Sequence, residues 1–238
     1  MSDEIEAESY DWQRAKELQA TFANQAVRSY IFLSVGMGFI ALALPILLVL
    51  IGGYEGNYSI SYFYHVSPLC RDILVGSLCA TGAFLLLFRG LSTLENWLLN
   101  IAGLAAVSIA INPMSAQQCP GDPLPASSAL GAHAPAWVHS VSALIFFTCI
   151  GIVAIFLSKR RLDSIMWRPK RRRFHVAYTA AGMAMIMMPA AVLATHFLSA
   201  APDCRKPWIF WLECFGIWSF SGYWFVKTSE YRTLLRIH

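Results

Sequence analysis

The chain has 238 residues, 57% of them hydrophobic and 13% charged, with a mean hydropathy of +0.51. That balance lies outside the usual range of a soluble domain, and the formal net charge of +4 implies no nucleic-acid partner. The opening residues, MSDEIEAESYDWQRAKELQ, are acidic and lack the basic and apolar regions of a cleaved signal peptide, so the first apolar run is expected to stay in the protein.

In that first segment Trp12, Ala15, Leu18, Phe22 and Ala26 recur at three- and four-residue steps, with Gln13, Glu17, Asn24 and Arg28 on the other side. The spacing predicts an amphipathic helix within 1–29, either lying on the inner membrane surface or packed against the ends of the spans. A first span is expected at Tyr30–Ile51, close to the roughly 20 helical residues a bilayer needs. The stretch SYFYHVSPLCRD, Ser61–Asp72, then leads into a second span at Pro68–Phe88, where Ser67 followed by Pro68 reads as an N-cap with proline in the first turn. A third span, Thr93–Asn112, opens on Ser92 and Glu95 spaced as a capping box, which makes these two spans a tight antiparallel hairpin. Small residues at helical spacing, Gly76, Ala80 and Ala83 facing Gly103, Ala106 and Ala110, predict close packing between them.

The next connection, rich in Pro, Ala, Ser and Gly, carries no regular period before Pro135. A fourth span follows at Ala136–Leu157, then the basic segment KRRLDSIMWRPKRRR, a fifth span at His175–Leu198 with a kink expected at Pro189, and a sixth at Pro207–Val226. The fold class is therefore all-α: a polytopic membrane protein with six transmembrane helices over 30–226, a cytoplasmic N-terminal segment 1–29 and a cytoplasmic tail 227–238. With the N-terminus inside, all of the 18 Lys and Arg except Arg71, Arg205 and Lys206 fall on the cytoplasmic side, which sets both termini there. Membrane lipids are the expected partners, the basic segment being a topology determinant that could also meet anionic head groups.

Of the six cysteines, Cys79, Cys149 and Cys214 fall within spans, while Cys70, Cys119 and Cys204 fall at or beyond their outer ends. The outer three leave room for one disulfide, most simply Cys119 to Cys204, and no C-x-x-C pair marks a thiol oxidoreductase. Ionisable groups at membrane depth are costly and mark function by default. Here they share the outer leaflet: Asp72 on the second span, His139 on the fourth, His196 on the fifth and Glu213 on the sixth, with His65 just before the second. The inner leaflet offers no comparable set, only Glu95, Asn96, Asn100 and His175. Histidines and a carboxylate from separate helices could hold zinc and activate a water, although each could equally be an ordinary interfacial polar residue.

Ser61 and His65 form S-x-x-x-H, followed by Asp72 and later histidines, and this resembles the alkaline ceramidase and adiponectin-receptor superfamily of membrane hydrolases. The resemblance implies a zinc centre with His65, His139 and His196 as ligands, and Ser61 and Asp72 positioning or activating water. The chain departs from that pattern in having six spans rather than seven, histidines on separate helices and a site on the outer side. More loosely, RDILVGSLCATGAFLLLFRG followed by NIAGLAAVSIAINP is similar to multi-pass proteins of the bacterial inner membrane, a resemblance that supplies no chemistry.

The leading expectation is a metal-dependent hydrolase of a lipid or lipid-linked substrate, with Asp72 or Glu213 completing the site or serving as general base. The alternatives are a b-type haem redox protein with His139 and His196 as axial ligands, a non-enzymatic transport or binding protein using Asp72 and Glu213, and a packing cluster in a protein that holds partners. Full alternating access is disfavoured by the lack of an inverted repeat and of inner-leaflet ionisable groups.

Overall fold

The structure, a computed structural model, describes residues 2–54, 59–114, 135, 137–164, 167–198 and 207–235, without the side chains of 2–11, 161, 164, 195–198, 207 and 234–235. These residues hold α1 (Ser2–Gly52), a single turn α2 (Phe63–Val66), α3 (Pro68–Leu87), α4 (Thr93–Ile111), α5 (Trp137–Ile152), α6 (Arg168–Leu198) and α7 (Pro207–Leu235), with no strand among them. Beyond Ile152 the α5 chain continues as a π turn, Val153–Leu157, and a 3-10 run, Ser158–Ser164.

The start of α3 is fixed as the sequence predicts, with Pro68 in the first turn and the Ser67 hydroxyl accepting from the Cys70 amide at 3.1 Å. At α4 the Ser92 hydroxyl accepts from the Glu95 amide at 3.2 Å, but the reciprocal half of the capping box is replaced: Glu95 Oε2 accepts from Leu91 N at 2.9 Å.

Among the described residues, five helices are long and apolar enough to cross a membrane: Trp12–Gly52, Pro68–Leu87, Thr93–Ile111, Trp137–Arg160 and Arg168–Ala194. The expected sixth span forms α7, whose Trp, Tyr, Ser and Gly side chains lower its hydropathy although it packs against α1 and α6. Helix α4 lies between α3 and α5. The outward faces carry exposed apolar side chains such as Phe32, Phe39, Leu87 and Leu104. The bundle has a basic end, where Arg89, Lys159, Arg160 and the first turns of α6 lie, and an opposite end with Gly52, Ser67, Asn112, Trp137 and Trp208.

Several expectations are sharpened. Helix α1 runs unbroken from Ser2 into the first span, and the side chains of residues 12–26 are exposed rather than packed on the span ends. Cys70, in the first turn of α3, is buried and free, its thiol packed beside Phe63 in an apolar cluster; Cys119 and Cys204 lie outside the described residues. Helix α6 continues through Pro189, the position of the expected kink. The segment expected as a tail from 227 is helical to Leu235, and Lys227, Thr228, Glu230 and Tyr231 are buried.

Candidate functional site

At the opposite end, a turn built by Ser59, whose hydroxyl accepts from the Tyr62 amide at 3.1 Å, carries Ser61 toward α5. The Ser61 hydroxyl meets His139 Nε2 at 3.0 Å, and His139 Nδ1 meets the Asn112 carbonyl at 2.9 Å. A carbonyl can only accept, so in a neutral imidazole Nδ1 carries the proton and Nε2 presents its lone pair to the Ser61 O–H. Asn112 ends α4 and its own amide nitrogen donates to Ser108 O at 2.9 Å, which holds this carbonyl in position. The pair borders a cavity of ≈ 10 Å³, room for about one water, whose other walls include Tyr64, Leu74, Leu78 and Ile109.

Glu213, on the second turn of α7, reaches the same segment from behind. Its carboxylate accepts from Ile60 N at 2.5 Å, and the Ser61 amide also faces it. Two of the expected catalytic residues, Ser61 and Glu213, and one expected ligand, His139, are thus brought together, in roles different from those expected. His139 bonds a serine hydroxyl, and Glu213 anchors backbone.

The other expected residues do not join them. His65 sits on α2, set off from α3 at Ser67, and donates from Nε2 to the Met114 carbonyl at 2.8 Å. Asp72 is exposed and pairs with the adjacent Arg71 at 3.3 Å, because the start of α3 turns it away from the bundle. The His196 side chain lies outside the described residues. Among the described residues no three His, Cys, Asp or Glu side chains are grouped so as to hold a metal ion.

The chain matches no protein-family model, no curated protein and no solved structure. What it can do must be read from its own geometry.

A second polar cluster, at the basic end, overturns the expectation that this side lacks an ionisable set. Lys227 on α7 is buried, and its ammonium lies 3.1 Å from Glu95 Oε1, 3.2 Å from the Ser158 hydroxyl and 3.4 Å from the Tyr223 hydroxyl. Ser158 and Tyr223 are themselves joined at 3.0 Å, and the Phe88 and Tyr223 rings close over the ammonium at 5.8 and 5.7 Å from their centroids. Nearby, the Tyr178 hydroxyl donates to the buried carboxylate of Glu230. Gly90 makes this possible in the α3–α4 turn, since a Cβ there would lie 2.4 Å from Glu95 Cγ as the side chain folds back. Sequence reading missed the cluster because Lys227 and Glu230 were assigned to a tail. The available signal was the spacing Tyr223, Lys227 and Glu230, which puts all three on one helical face.

Proposed function

We propose that the chain is a multi-pass membrane hydrolase in which Ser61 is the nucleophile and His139 its general base, acting on an ester of a lipid or lipid-linked substrate. The observation that carries this reading is the 3.0 Å contact from the Ser61 hydroxyl to His139 Nε2, with Nδ1 committed to the Asn112 carbonyl. As Ser61 Oγ bonds to the acyl carbon, its proton passes to His139 Nε2; the ester C–O bond then breaks and the departing alcohol takes that proton. A water, deprotonated by the same nitrogen, releases the acid and restores the serine. Water-sized space beside the pair, with mostly apolar walls, suits a reacting carbonyl while the rest of an apolar substrate stays outside. The fuller topology belongs to the same reading: α7 is the sixth span, both termini are cytoplasmic, and Ser61 faces the outer side.

A fluorophosphonate probe on the purified protein tests this. Labelling is expected on Ser61, absent in Ser61→Ala, slowed by about 100-fold or more in His139→Ala, and retained in Asp72→Asn. No labelling of the wild type, or equal labelling in His139→Ala, overturns the reading. Stoichiometric zinc lost on replacing His65, His139 or His196 would replace it with the metal-dependent one.

A further inference from the structure

The two polar clusters lie at opposite ends of the bundle, and the same two helices carry both. Helix α4 holds Glu95 near its start and presents the Asn112 carbonyl at its end; α7 holds Glu213 near its start and Lys227 farther on. Along each rod the two sites are about 20–25 Å apart at ~1.5 Å per residue. At one end Asn112 orients His139 and Glu213 anchors the Ser61 segment. At the other, Lys227 and Glu95 are joined at 3.1 Å. Helix α4 packs chiefly against α3 and α5, and α7 against α1 and α6, so this ion pair ties together two rods that are not close-packed neighbours.

We propose that the buried Lys227–Glu95 pair is a positioning element for the Ser61–His139 site, fixing the relative placement of α4 and α7 and thereby the distance between nucleophile and base at the far end. The inference rests on the serine-hydrolase reading for its activity readout and on the helix geometry alone for its structural one. Lys227 is suited to the role because its three N–H donors have three oxygens within reach, on α4, on the 3-10 run after α5 and on α7 itself. Glu95 extends the tie, its other oxygen holding Leu91 N in the α3–α4 turn. A displacement at Lys227 is therefore passed to rigid helices rather than absorbed locally.

The test uses the full chain in detergent or lipid nanodiscs with Lys227→Met, Glu95→Gln, the conservative Lys227→Arg and the exchange Glu95→Lys with Lys227→Glu. Two quantities are read: the fluorophosphonate labelling rate of Ser61, and hydrogen exchange of the Ile60 and Ser61 amides that face Glu213. In Lys227→Met and Glu95→Gln both are expected to change, labelling slowing and exchange quickening by about ten-fold. The middle of α4, Leu99–Ala106, should keep its protection, and Lys227→Arg or the exchanged pair should recover most of the labelling. A merely structural contribution would not show this pattern of recovery at a site so far away. If the wild type fails to label while Ile60 and Ser61 still loosen in Lys227→Met, the hydrolase reading fails and the coupling stands. Unchanged exchange at Ile60 and Ser61 in folded Lys227→Met, or loosening spread evenly over every helix, overturns the coupling.

Discussion

The ammonium of Lys227 sits in a setting where charge is costly, and its three oxygen partners and two rings offset that cost only together. Removing one member of such a pair leaves the other buried and uncompensated, which typically costs about 3–5 kcal/mol, whereas replacing both by apolar residues of similar volume is close to neutral. Glu95→Gln and Lys227→Met should therefore each destabilise the protein by about that amount, and Glu95→Leu with Lys227→Met by clearly less than the sum. Unfolding curves of the four proteins in one detergent check this; simple additivity would contradict it. The residues behind this expectation were only half legible. Glu95 announced itself as a cap, but a lysine after an apolar run carries the same signature whether it ends a span or folds back into the bundle, and only the packing of α7 on α6 and α1 decides between them. Ser61 and His139 were both singled out from sequence, yet not as a pair, because 78 positions separate them and no local spacing encodes a contact across that distance.

Close helix approach is set by backbone rather than by side chains at two points. A Cβ on Gly82 would lie 2.7 Å from Val107 Cγ2 and 2.8 Å from the Gly103 carbonyl, so α3 and α4 touch there almost without an intervening side chain. Between α5 and α6 the same holds at Gly151, where a Cβ would lie 2.6 Å from Ile186 Cγ1 and 3.0 Å from the Gly182 carbonyl. Gly82→Ala and Gly151→Ala should each cost about 1–3 kcal/mol through forced separation. Gly76→Ala, with nothing within 4 Å, should be neutral or slightly stabilising, as alanine is in any open helical position. Thermal unfolding of the three variants checks the order, and equal losses in all three would refute it. Small residues on α3 and α4 did point to a close hairpin, and on α4 to the right face, where Gly103 meets Gly82, but on α3 the face was misplaced: Gly76 and Ala83 are exposed and the contact runs through Gly82. A count of small residues gives a tendency to approach, while the rotation of a helix about its axis depends on what its neighbours bury.

Across the whole molecule the hydropathy pattern carried most of the architecture, since a bilayer demands internally satisfied backbone and leaves the helix almost without competitors. Span edges at Pro68 and Thr93 were legible because caps mark them locally. The ends of α1 and α7 were not, because a helix that leaves the apolar layer keeps its backbone bonds and shows no change of period. The proposed placement of both termini on one side rests on the distribution of Lys and Arg, and it gives a direct expectation: fluorescent-protein fusions at either terminus should be bright in a bacterial host, and periplasmic phosphatase fusions at those positions inactive. An active phosphatase at the C-terminus would require an odd number of crossings.

The π turn at Val153–Leu157 has a consequence for what lengths of chain this bundle can tolerate. A π turn is an α-helix that takes up one extra residue by widening locally, so deleting a single residue there would restore regular winding at almost unchanged rotation, and Ser158 would stay beside Lys227 and Tyr223. Adding a residue has no such outlet: it would turn everything after it by about 100° and carry Ser158 away from both partners. A loss of one residue in this stretch is absorbed; a gain of one is not.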